Sequence, residues 1–211
     1  SLTTVERRKS DLGALAASVK SADAIVFIGG ISPSLEGEEM PVLVPGFNKG
    51  DRTSIALPRV QTDAMKALQA TGKPVIFVML TGSALAIQWE DDNLPAIVNA
   101  WYGGQDAGTA LADVLFGDYN PSGRLPVTFY ASDNDLPPYE DYSMQERTYR
   151  YFTGKPLYPF GHGLSYTDFV YSDLRIPGTA VTGDSVKVSV LVTNTGLRPG
   201  EEVVQLYVSL S

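Results

Sequence analysis

Apolar positions along the chain fall into two periods, and the period changes near residue 120. Val5, Leu12, Leu15 and Val19 recur at helical spacing, which predicts an amphipathic helix over residues 5–20. Ala24-Ile25-Val26-Phe27-Ile28 is an unbroken apolar run ending in Gly29-Gly30, the mark of a strand buried on both faces of a parallel sheet. Pro58 then stands where a helix can start. Val60, Met65 and Leu68 carry that helix over 59–71, to a stop at Gly72. Residues 74–80 (PVIFVML) read as a second buried strand and 95–102 (PAIVNAWY) as a third. Gly103-Gly104 leads into a helix over 106–116, ended by Gly117. Alternating strands and helices define an α/β layer with a mostly parallel sheet.

Beyond 120 the texture is different. Asn120-Pro121-Ser122-Gly123 reads as a turn and 124–129 as extended chain; residues 131–166 are rich in Pro, Tyr and Gly with little periodicity. Residues 185–192 alternate polar and apolar, as a half-exposed strand does, and 201–208 read as its partner. Two or three strands are too few for an independent sandwich. The all-β part therefore reads as truncated, and Ser rather than Met at position 1 reads as a cut or processed chain.

Composition narrows the functional classes. The chain has 211 residues, a net charge of −8 and no basic run to offset it, so nucleic acid and anionic membranes would repel it. It has no cysteine, which excludes thiol catalysis, zinc–thiolate sites and disulfides. A single histidine, His162, leaves no His-rich metal cluster, and its glycine neighbours offer no catalytic triad. No apolar run reaches the ~18–20 residues of a membrane helix, and no apolar segment near the N-terminus reads as a signal peptide. Gly29-Gly30 and Gly103-Gly104 lack the full phosphate-loop patterns. No cofactor or metal is expected.

One loop carries candidate chemistry. Leu35-Glu36-Gly37-Glu38-Glu39-Met40 follows the first strand, and Asp51-Arg52 comes after it. Ligands of open α/β sheets bind beyond the carboxyl ends of the strands, where this loop lies. The carboxylates are either a proton-transfer group or a solvated acidic loop. Asp51-Arg52 reads first as an ion pair anchoring the loop end. Trp101 reads as core. Trp89, flanked by Gln88 and Glu90-Asp91-Asp92, is a weak candidate for binding a ligand by stacking. Arg147 and Arg150, set among tyrosines, read as interface braces.

Four segments resemble the C-terminal part of glycoside hydrolase family 3: Ala100–Asp118 (AWYGGQDAGTALADVLFGD), Ser122–Phe129 (SGRLPVTF), Arg147–Phe152 (RTYRYF) and Pro156–Tyr166 (PLYPFGHGLSY). The resemblance implies part of an α/β/α sandwich domain over 1–166 and the start of a fibronectin-III-like β domain over 167–211. It implies an upstream (β/α)8 barrel carrying an Asp nucleophile, and an oligosaccharide or aryl β-glycoside as substrate. The implied activity is that of an exo-acting retaining β-glycosidase, first a β-xylosidase and alternatively a β-glucosidase. A glutamate of this domain would be the general acid/base. Glu36-Gly37-Glu38 resembles the Glu-Ala-Glu form of the β-xylosidase branch, which favours Glu38. Glu36 comes next, because β-glucosidase-like members place a lone Glu before Gly; Glu39 is behind both. Residues 41–50 separate Met40 from Asp51-Arg52, a departure from the family's compact pattern. The substrate class implies a periplasmic or extracellular location. A lone acid cannot run a double displacement, so the isolated chain is expected to be inactive, a structural or sugar-binding module.

Overall fold

The structure is a computed structural model that describes residues 12–37, 40–181 and 183–209. Helix α1 is Leu12–Ser18 and strand β1 is Ile25–Gly30. A small hairpin follows, β2 (Phe47–Asn48) and β3 (Asp51–Arg52), then α2 (Arg59–Gln69) and β4 (Val75–Leu80). Helix α3 (Gln88–Asn93), β5 (Ala96–Asn99) and α4 (Ala107–Phe116) come next. A 3-10 turn (Asp133–Asp135), α5 (Thr148–Tyr151), β6 (Phe169–Arg175) and β7 (Ser189–Asn194) complete the described elements. The predicted first helix is present over 12–18; its share over 5–11 lies outside the described residues.

The chain forms two compact units, one from residues 1–105 and 127–160 and one from 106–126 and 161–211. In the first, β1, β4 and β5 form a three-stranded sheet in the order β1-β4-β5. Both pairings are parallel, with Ile25 opposite Val75 and Ile76 opposite Ala96. The alternating strands and helices of the sequence thus produce the α/β fold they predict, with α2 packed on α1, β1 and β4.

Helix α2 buries Ala64, Met65 and Leu68 on one face, at the three- and four-residue spacing of its apolar stripe. Burying a side chain of the size of Met65 or Leu68 contributes roughly 2 kcal/mol. Gln61, on the same face, is also buried. Its amide accepts from the Gly30 N–H and donates to the Gly30 carbonyl, both at 2.7 Å. Helix and strand end are thereby joined through a backbone pair that would otherwise be buried and unmet. Gly30 has φ +121°, and a Cβ there would lie 1.9 Å from the Leu80 carbonyl oxygen. Only glycine lets the chain leave β1 at this point.

β1 differs from its reading as a strand buried on both faces. Ile25 is buried, whereas Val26 and Ile28 are 48% and 56% exposed. Alternate side chains of a strand point to opposite faces, and among the described residues only the Ile25 face of β1 is well covered. β4, the central strand, has no such bare face: Val75, Phe77, Val78 and Met79 are all buried.

In the second unit, α4 ends as its sequence predicts, with Gly117 at φ 83° and its N–H on the Val114 carbonyl. β6 and β7 pair antiparallel, with an irregularity between Ser172 and Arg175. The strand expected over 185–192 falls at 189–194, and its partner is β6 rather than 201–208. Residues 201–208 form no strand. Their side chains instead meet the 119–124 segment: Glu201 accepts from Ser122 and Glu202 from Arg124. Alternation selects extended chain, but a ladder also needs an open edge.

Candidate active site

The loop that leaves β1 is fastened at both feet. At the first foot, Ile31 N–H donates to the Leu80 carbonyl at 2.8 Å, Leu35 is buried, and the Leu35 and Glu36 amides close on the Ser32 carbonyl. At the second, β2 and β3 pair Phe47 with Arg52 across a two-residue turn in which Lys49 and Gly50 both have positive φ. Residues 31–52 read as loop; the hairpin within them is signalled only by that Lys-Gly turn.

Arg52 leaves β3 and is fixed by five contacts. Its Nε and Nη2 donate to the Ser54 carbonyl at 3.2 and 3.0 Å. Its Nη1 donates to the Ser83 hydroxyl at 2.7 Å and the Ala84 carbonyl at 3.4 Å, and lies 3.8 Å from Glu36 Oε1. Burial pushes the Arg52 guanidinium pKa below its usual value, while the charges of Glu36 and Asp133 oppose that; a guanidinium stays charged regardless. Asp133 also fixes the chain just behind Arg52, accepting from the Ser54 hydroxyl and the Ile55 amide, both at 2.7 Å.

Tyr102, from the segment after β5, reaches the same group. Its hydroxyl is 2.6 Å from the Ile31 carbonyl and 3.3 Å from Glu36 Oε2. Burial, then the Glu36 charge and hydrogen bond, push the Tyr102 hydroxyl above its usual range, so it keeps its proton. The loops after three strands therefore meet around the Glu36–Arg52 pair: Glu36 after β1, Ser83 after β4 on Arg52, and Tyr102 after β5 on Glu36.

Of the sequence candidates, Glu36 lies in this cluster as a partly buried carboxylate between a guanidinium and a phenol. Glu38 and Glu39 lie outside the described residues. Arg52 anchors the loop end as expected, but its acidic partner is Glu36 rather than Asp51. Trp89 sits in α3, with Lys66 Nζ 5.1 Å from its ring centroid, and is not part of the Glu36 group. Trp101 packs edge-on to Phe129 at 6.4 Å. Arg147 donates to the Pro138, Asp141 and Ser143 carbonyls and so braces its own loop. Sequence reasoning missed Tyr102 and Ser83. The available signal was position, since both directly follow sheet strands. No group of three or more His, Asp or Glu among the described residues is placed to hold a metal ion. No described helix is long and apolar enough to cross a membrane.

The chain matches known proteins. Residues 4–166 match the Glycosyl hydrolase family 3 C-terminal domain. The chain belongs to glycoside hydrolase family 3. It is 56% identical to a xylan 1,4-β-xylosidase of Xylanibacter ruminicola over 91% of this chain and 22% of that protein. It is 41% identical to a periplasmic β-glucosidase of Salmonella typhimurium, over 90% of this chain and 25% of that one. A solved β-glucosidase from Erythrobacter marinus superposes with a TM-score of 0.73 at 37% identity, covering 88% of this chain and 24% of its own. The chain thus spans about a quarter of the length of these relatives.

Proposed function

We propose that this chain is the acid-bearing part of an exo-acting retaining β-glycosidase that removes terminal, non-reducing β-linked sugars, with Glu38 as general acid/base. In this reading residues 1–166 belong to the family's sandwich domain and 167–211 begin a fibronectin-III-like domain. A separate barrel domain supplies the Asp nucleophile, and the substrate is an oligosaccharide or aryl β-glycoside. The observation that carries the reading is the anchored loop at the carboxyl end of the sheet. Glu36 there faces Arg52 and Tyr102 and is committed to the loop's own structure. The proton donor then falls to the next glutamate, Glu38, which the Glu-x-Glu pattern also favours.

A retaining double displacement needs two carboxyl groups about 5–5.5 Å apart. Glu38 would protonate the leaving oxygen as the nucleophile attacks, then take a proton from water in the second half. A β-xylosidase is favoured by the 56% identity to the xylan xylosidase against 41% to the periplasmic β-glucosidase. The β-glucosidase alternative is supported by the solved relative from Erythrobacter marinus. A full-length protein preferring aryl β-glucosides to aryl β-xylosides would select that alternative.

The test is Glu38→Gln in the full-length protein. Hydrolysis of glycosides with poor leaving groups should fall about 10²–10⁴-fold, and activated aryl glycosides, which need little protonation, should lose far less. Equal losses for both would remove Glu38 from the acid role. The isolated 211 residues should not turn over either substrate.

A further inference from the structure

The chain just behind Arg52 is held from a distant part of the sequence. Asp133 lies 79 residues beyond Ser54. Its Oδ2 accepts from the Ser54 hydroxyl and its Oδ1 from the Ile55 amide, both at 2.7 Å. Charge-assisted bonds to both oxygens fix a partner in direction as well as in distance. Asp133 is not spent on its own 3-10 turn. Ser132 caps that turn by accepting from the Asn134 amide, and Asp135 accepts from the Ala131 and Ser132 amides. The turn closes without the Asp133 side chain, which is left to reach the Ser54 segment. We propose that Asp133 is a positioning residue of the acid loop, acting through Ser54 and Arg52. It sets where the Arg52 guanidinium stands, and so where the second foot of the loop and its Glu36 partner stand.

The relay runs through direct contacts. The Ser54 carbonyl accepts from Arg52 Nε and Nη2 at 3.2 and 3.0 Å, so one edge of the guanidinium follows that carbonyl. The other edge, through Nη1, meets the Ser83 hydroxyl at 2.7 Å and stands 3.8 Å from Glu36 Oε1. A guanidinium is planar and its donors form a rigid fork, so a turn at one edge is passed to the other. The Ser54 hydroxyl donates to Asp133 and accepts from the Ala56 amide at 3.1 Å. Ile55 is gripped from both sides, its amide on Asp133 and its carbonyl on the Ala86 amide at 2.8 Å. The mount that carries Asp133 is rooted in the core. Phe129 is fully buried and exchanges two backbone bonds with Tyr158, at 2.9 and 3.2 Å. Asp133 itself is exposed, so its bonds add little to the stability of the fold. Water replaces a lost exposed bond, but not its direction. What Asp133 contributes is therefore order in the loop. It also places a negative charge near Arg52, an effect that an asparagine removes while keeping an acceptor in place.

The proposal rests on the reading of this loop as acid-bearing, but its first test needs no activity. Native-state hydrogen exchange of the full-length protein follows the amides of residues 46–55. In Asp133→Ala they should exchange about 10-fold faster, while those of β4 keep their wild-type rates. Unchanged exchange over 46–55, or an equal rise in β4, overturns the proposal. The second test is kinetic. Asp133→Ala should lower kcat for poor leaving groups about 10-fold and leave KM within about 2-fold, because the loss is in placing the acid rather than in binding sugar. Asp133→Asn can still accept from Ile55 and meet the Ser54 hydroxyl, so it should recover most of both losses. Equal losses in the two variants would assign the effect to charge at Arg52 and overturn the positioning role, as would a wild-type kcat in Asp133→Ala. Should Asp133→Ala fail to fold, Ser54→Ala carries the same test and leaves the 3-10 turn intact. It should quicken exchange over 46–55 and lower kcat, and wild-type behaviour in both would overturn the proposal. A wild-type protein without glycosidase activity, whose variants nonetheless exchange as stated, would count against the functional reading and support the anchor.

Discussion

Each of the two units holds an arginine against a glutamate, in opposite styles. Arg124 Nη2 lies 2.8 Å from Glu202 Oε2, with side chains 10% and 15% exposed. Arg52 stops 3.8 Å short of Glu36, and the nearer contacts of its guanidinium go to carbonyls and a hydroxyl. The units around them differ as much. The first has an apolar core in which Phe77, Val78, Met65 and Leu85 are fully buried. In the second, Thr167 is the single buried residue among those described, and Phe116 is 85% exposed. Where packing supplies the stability, an arginine and a carboxylate are held at longer range, each by its own contacts to the loop. Where only one described residue is buried, the short ion pair and polar contacts such as Asn120 with Ser165 and Tyr166 tie the chain together.

The largest effect expected from this contrast is in the core. Phe77→Ala should cost about 3–5 kcal/mol of stability, whereas Phe116→Ala should cost under about 0.5 kcal/mol. Denaturant unfolding of the full chain measures both, and comparable losses would erase the distinction between the units. Next comes the tight pair. Arg124→Met leaves Glu202 without its cation and should cost about 2 kcal/mol. The double change with Glu202→Leu should recover much of that loss. A single variant as stable as wild type would mean that the short contact adds no more than an exposed pair does.

A smaller effect lies in the pH dependence of the first unit. Tyr158 donates to Asp91, and burial, then that bond and the acidic charges, push its hydroxyl pKa above the usual tyrosine value. The folded state thus keeps a proton that the unfolded chain releases near about pH 10. The stabilisation is complete below that pH and declines as pH rises above it. Unfolding curves taken in steps above about pH 9 should show the decline, and Tyr158→Phe should flatten it. An unchanged slope in Tyr158→Phe would assign the decline to other groups.

The sequence made much of the first unit legible because periodicity and punctuation agreed there. The runs at 24–28 and 74–80 and the stripe Val60, Met65, Leu68 each point to one element, and each element formed. The misreadings share one cause. A run of apolar residues says that a strand is extended, not what covers it. Val26 and Ile28 were therefore expected to be buried, and 201–208 was paired with the wrong edge. The Glu36 group was half legible. The acidic loop was visible as local sequence, and Arg52 as its far end. Tyr102 and Ser83 were not, because they reach Glu36 and Arg52 respectively from loops that the sheet order alone brings together.

The smallest effect concerns a flaw in the better-packed unit. The Thr128 hydroxyl is buried without a partner among the described residues, and so are both polar atoms of the Asn99 side chain. A buried hydroxyl with no partner costs on the order of 1–3 kcal/mol, whereas removing it with shape preserved is neutral or favourable. Valine matches threonine in branching and nearly in volume, so Thr128→Val should raise stability by about 1 kcal/mol. The residue is only 8% exposed, which leaves little solvent for the hydroxyl to gain from. If the first unit owes its stability to packing, the change should help, since it converts a polar gap in the core into apolar contact. A loss of stability in Thr128→Val would show that the hydroxyl is bonded in solution, and that the first unit, like the second, leans on polar contacts where packing was thought sufficient.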